Sequence, residues 1–178
     1  MKQKNVHVRF SPNLKKMLVT LIAVYGFWLA TGFTLPVNVQ ARPPYPRDWS
    51  ADSQVNPLTE FNLDEGKWTA VIAFSMEDRF RKPWSYAYGN ILCTSDRAVL
   101  KQLQSVAFHV TPADVATVTS GLYLYKDGKL MYETGIVLED GEEGLQNRDH
   151  GWMPPVQRGA LHAVCQQFRR SWVPVVIL

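Results

Sequence analysis

The sequence predicts an α+β domain: one mostly antiparallel sheet with two main helices packed on one face. Three observations predict it. Short apolar runs rich in β-branched and aromatic residues recur from Lys67 onward. Two stretches between them switch to helical spacing, and an Asp127-Gly128 dipeptide joins two of the runs as a tight hairpin. Strands interleaved with few helices, and no alternating strand-helix repeat, give an α+β layer arrangement.

The elements follow in order. The run "KWTAVIAFSM" from Lys67 reads as a strand buried on both faces, and "EDRFRKP" as a turn. In "WSYAYGNILCT" the residues Trp84, Tyr86 and Tyr88 alternate onto one face of a second strand. At "TSDRAVLKQLQSV" the period becomes helical, with Thr94 or Ser95 as the cap and Val99, Leu100, Leu103 and Val106 on the inner side. A strand from Val106 to Val110 comes next, then a short helix opened by Thr111, Pro112 and Asp114. The hairpin "GLYLYKDGKLMYETGIVLE" follows, then an acidic loop "EDGEEGLQNRDHG". A last helix buries Leu161, Val164, Cys165 and Phe168 and ends on Arg169 and Arg170, and "WVPVVIL" forms a final edge strand.

Ahead of this domain, expected over residues 67–178, lie two other segments. Residues 42–66 are rich in Pro, Asp, Asn and Ser and read as a linker, partly pinned by Trp49, Leu58 and Phe61. Residues 1–41 carry a signal peptide or a signal anchor, with the apolar part at 17–36. Val39 and Ala41 supply the small side chains of a cleavage site before Arg42. The length of the apolar run fits a spanning helix instead. Either way the basic leader holds the N-terminus in the cytoplasm and exports the domain, tethered to the inner membrane or released near Ala41. The chain has no Asn-x-Ser/Thr sequon, which points to a bacterial periplasm.

Composition bounds the function. With 46% hydrophobic and 20% charged residues the chain is globular, not disordered. Five of its 19 basic residues (Lys2, Lys4, Arg9, Lys15, Lys16) precede the apolar run, leaving 14 basic against 16 acidic side chains beyond Ala41. A near-neutral domain lacks the phosphate-binding charge that nucleic acid requires.

Cys93 and Cys165 are the only two cysteines. In an oxidising compartment they are expected to pair, and closing a loop of 72 residues is worth about 4 kcal/mol. The rival use of His162 and Cys165 as metal ligands has no second ligand pair, so neither a metal nor a cofactor is expected.

The segment "GLYLYKDGKLMYETG" followed by a helix resembles the C-terminal hairpin and helix of the thioredoxin family over about fifty residues. That family's Cys-x-x-Cys after the first strand and its proline before Leu122 have no counterpart here. The resemblance therefore implies neither the family's fold nor its activity.

Among chemistry-bearing groups, Asp149-His150 has the residue types of an acid-base pair but no neighbouring nucleophile. His109 falls on an apolar strand. Glu139, Asp140, Glu142 and Glu143 lack calcium-loop spacing and read as a solvated turn. The strongest candidate is a partner or ligand surface of Arg79, Arg81, Lys82, Trp84, Tyr86 and Tyr88, side-chain types enriched at binding hot spots. The expected function is a cell-envelope protein acting by binding a protein partner, with no catalytic residue assigned. The alternatives are a periplasmic hydrolase using His150 or His109, a redox protein using Cys93 and Cys165, and a glycan or small-ligand module built on Trp84, Tyr86 and Tyr88.

Overall fold

The computed structural model describes residues 11–38, 50, 52–111, 118–147, 151–173 and 175–178. The expected short helix after Thr111, the Asp149-His150 pair, Trp49, Val39, Ala41 and Pro174 lie outside them. The architecture is α+β. Seven strands form one antiparallel sheet in the order β10-β4-β3-β6-β7-β8-β9. In chain order these are β3 (Trp68–Ala73), β4 (Ile91–Thr94), β6 (Gly121–Lys126), β7 (Lys129–Glu139), β8 (Glu142–Asn147), β9 (Gly151–Met153) and β10 (Arg169–Arg170). Two small sheets flank it: β1 (Leu35–Val37) pairs in parallel with β11 (Val175–Ile177), and β2 (Gln54–Val55) pairs antiparallel with β5 (Phe108–His109).

Period-two alternation sorts the core into two layers. From β3, Trp68, Ala70 and Ile72 face one way with Leu92, Leu122 and Leu124. The same layer takes Val99, Leu100 and Leu103 of helix α3 (Arg97–Ser105), and Leu161, Val164 and Cys165 of helix α4 (Ala160–Cys165). Facing the other way, Val71, Ala73, Ile91, Tyr125 and Leu130 close against Leu178, with Val176 and Cys93 partly buried beside them. The hairpin forms as its dipeptide demands: Asp127 and Gly128 both take positive φ, 52° and 80°, and Lys126 pairs with Lys129. Helix α3 is capped by Asp96, whose carboxylate accepts from Ala98 N at 2.8 Å, not by Thr94 or Ser95.

Several expectations are corrected. Cys93 and Cys165 are both free, because Cys93 sits opposite Val71 on the layer away from the helices while Cys165 lies in the helix layer. The alternation that buries Leu92 turns Cys93 the other way. The stretch Trp84 to Asn90 is a loop, broken by Pro83 and by Gly89 at φ 132°. The acidic run is a turn only at Asp140 and Gly141: the chain from Glu142 to Asn147 is strand β8, with Glu143 and Leu145 buried. The last helix ends at Cys165, and Arg169 and Arg170 lie on the edge strand beside β4. The strands expected at 106–110 and at the C-terminal end belong to the small sheets. After β7 the chain makes two more antiparallel strands before α4, an order different from a hairpin followed directly by a helix.

Of the expected linker, Gln54 and Val55 form β2, Leu58 and Leu63 are buried, and Phe61 packs on the core. The amide of Gln104 donates to the carbonyls of Leu58 and Phe61 at 2.7 and 2.9 Å.

Candidate functional site

The residues with the most specific geometry surround the end of the apolar helix α1 (Pro12–Thr31). Ser11 caps its start by accepting from Leu14 N, and Pro12 occupies the first turn. The helix is 20 residues long and apolar enough to cross a membrane. It stops at Gly32, left-handed at φ 62°, whose N–H returns to Trp28 O at 3.0 Å. A Cβ at Gly32 would stand 2.6 Å from the Tyr88 ring, and one at Gly89 3.2 Å from Gly32 O. The two glycines let the helix end meet the Tyr88–Gly89 loop backbone to backbone.

Three side chains of the domain then hold that end. Arg79, on the short helix α2 (Asp78–Arg81), donates to Thr31 O and to the Tyr88 hydroxyl at 3.0 Å. Arg170 donates to Leu29 O at 3.1 Å and stacks on Trp28, Tyr88 and Trp172, with centroid distances of 5.7, 5.9 and 4.6 Å. Terminal carbonyls of a helix need partners and favour cations, and here two guanidiniums supply both. Asn90, 2% exposed, pairs with the backbone of Thr34 in both directions, at 2.7 and 2.8 Å. Beyond it β1 runs along β11, and Leu178 N donates to Val37 O at 2.8 Å.

The six residues expected to form one surface are divided by this joint. Arg79 is buried inside it, and Tyr88 is half-exposed beside it. Arg81 pairs with Glu77 and lies 3.6 Å from Glu139. Lys82 donates to the carbonyls of Ala87 and Gly89 and sits 5.0 Å from the Phe74 centroid. Burial, then the charge of Arg79, holds its ammonium down to about 8. Trp84 projects fully into solvent, whereas Tyr86 is buried, so Trp84, Tyr86 and Tyr88 do not form a common stacking platform.

Tyr86 instead enters a buried polar network under α4. Its hydroxyl lies 2.7 Å from His162 Nδ1, and His162 Nε2 lies 3.1 Å from Glu139 O. The carbonyl only accepts, so Nε2 carries the proton and Tyr86 donates to Nδ1. Glu143 accepts from the backbone N–H groups of Gly159 and His162, the latter at 2.7 Å. Burial, then Cys165 and Glu143, raises the Tyr86 hydroxyl above its ordinary range. Burial raises both thiols, so neither has thiolate character. The ring nitrogens of His162 are committed to structural bonds. His109 lies 3.7 Å from Asp52 at the edge of β5. Among the described residues no group of three His, Cys, Asp or Glu side chains is placed to hold a metal.

The sequence reading missed Gly32, Asn90 and Arg170 as a constellation. Positions this far apart in the chain carry no common periodicity, and only Gly32 after the apolar run is a local signal for the helix end. Comparison with protein families, curated proteins and solved structures finds no match. The functional reading therefore rests on the geometry of the chain itself.

Proposed function

We propose that this is a bacterial cell-envelope protein that keeps α1 as a membrane anchor. Its domain stands on the periplasmic side and acts by binding a protein partner, not by catalysis. The joint between α1 and the domain is the observation that carries the reading. Cleavage before Arg42 would remove Thr34 and β1 together. It would remove both hydrogen-bond partners of the Asn90 amide together with the chain that covers it. Retention keeps every one of these bonds. The basic residues at and before the start of α1, Lys15 and Lys16 among them, favour a cytoplasmic N-terminus.

Among the described residues, binding is supported over catalysis by what the reactive side chains are doing. His162 is held from both nitrogens, and the thiols stay protonated. The test is the intact mass of the protein recovered from bacterial membranes after alkaline washing. A membrane-bound species that includes α1 is expected. A soluble species beginning at Arg42 overturns the anchor.

A further inference from the structure

Helix α1 is long enough to cross a membrane over its 20 residues, but its part without charge is shorter and ends in a rigid joint. Within the helix the uncharged residues run from Met17 to Thr31. As helix they cover about 22 Å at 1.5 Å per residue, against a hydrocarbon core of about 30 Å. At the cytoplasmic end Lys15 and Lys16 extend outward on long stems. At the other end there is no spacer, because Gly32 turns directly into Tyr88 and Gly89. Whatever depth the helix end takes, the side chains stacked on its two guanidiniums share it.

Those side chains are apolar, aromatic and open. Phe80 and Tyr88 lie 5.4 and 5.2 Å from the Arg79 guanidinium, and Trp172 lies 4.6 Å from that of Arg170. Their exposures are 76%, 56% and 66%. Leu35 and Val175, register partners at the start of the small parallel sheet, are exposed as well. A helix shorter than the core draws its flanking residues into the lipid interface, and aromatic rings backed by Arg suit that depth.

We propose, resting on the anchored reading, that the domain seats directly on the bilayer that α1 crosses. Phe80, Tyr88 and Trp172 enter the lipid headgroup layer around the helix end. The occupant of this patch is lipid, not a protein partner, because Tyr88 and Trp172 stack on the same guanidinium as Trp28 of the spanning helix. Arg79 and Arg170 remain in the joint, where the rings stacked on them shield their charge.

The full chain is reconstituted into phosphatidylcholine vesicles whose lipids carry bromine either near the glycerol or near the chain ends. Subtracting the emission of Trp172→Phe isolates the Trp172 component. That component should be blue-shifted and quenched more by the shallow bromines than by the deep ones. If it stays red and unquenched while the remaining emission, which includes Trp28, is quenched, the seat is overturned and the anchor stands. If no emission is quenched and the chain separates from the vesicles on flotation, the anchored reading falls and the seat with it. Phe80→Trp carries the same test on the other guanidinium. Its added emission should follow the shallow bromines, and an unquenched gain overturns the proposal even where Trp172→Phe disturbs the fold.

Discussion

The two faces of the seven-stranded sheet are closed by different kinds of element. One is covered by α3 and α4, amphipathic helices whose apolar stripes bury Leu100, Leu103 and Leu161 almost completely, with Phe168 buried just after α4. The other is covered by Leu178 and Val176 of a narrow parallel ribbon, whose second strand comes from the segment directly after α1. The helix face draws on residues within the domain and on Leu58 and Leu63 of the expected linker just before it. The ribbon face recruits residues from the far side of the expected linker, so the segment nearest the apolar helix is a structural member of the fold.

Variants on the two faces sharpen this contrast, and the largest effect belongs to the helix face. Phe168→Ala empties a site that is 1% exposed and should cost about 3–5 kcal/mol, read as a fall in the chemical-denaturation midpoint of the whole domain. Asn90→Ala, at the ribbon joint, strands the N–H and C=O of Thr34 and should cost about 1–3 kcal/mol. Hydrogen exchange should show faster opening at the Leu178 amide, with the β3–β6 amides keeping their protection. Uniform loss at both places would mean that the two faces are not separable.

A smaller effect comes from Lys82, in the loop that carries the joint. Its folded-state pKa of about 8 lies below the ordinary 10.5. Between those values the unfolded chain still binds a proton that the folded chain has released, so this residue's contribution to stability rises with pH through that window. The Tm difference between the unaltered chain and Lys82→Met should therefore move in the unaltered chain's favour from pH 8 to 10.5. A flat difference contradicts the burial argument. Smallest of all, Trp84→Ser should change stability by less than about 0.5 kcal/mol, since the ring touches solvent on all sides. A measurable fall in Tm would place that ring in the core.

The helix face was also the more legible one. The apolar spacing at Val99, Leu100 and Leu103, the stripe at Leu161, Val164 and Cys165, and the turn at Asp127-Gly128 are all local signals, and each forms where its pattern falls. Strand β8 was hidden because Glu142 and Glu143 look like solvated charge. The Glu143 carboxylate is buried only because two backbone N–H groups meet it from another part of the chain. The aromatic alternation at 84, 86 and 88 was real in sequence, but each ring answers to a different neighbour: solvent, His162 and Arg79. The ribbon was illegible for the same reason on a larger scale. Pairing Leu35 with Val175 leaves no trace in either segment alone.

The two glycines at 32 and 89 make the helix end and the domain backbone nearly touch, and that closeness removes a swivel. On the anchored reading, a domain on a loose tether would sample every heading above the membrane and show all its sides to its neighbours. With Asn90, Arg79 and Arg170 locking the hinge point, turning the helix about its own axis turns the domain with it. Helix and domain then share a single compass bearing, and a neighbour in the same bilayer meets one fixed flank at one fixed height. Encounter becomes a search in a plane with orientation already set, which raises the effective concentration of the presented side and hides the opposite one.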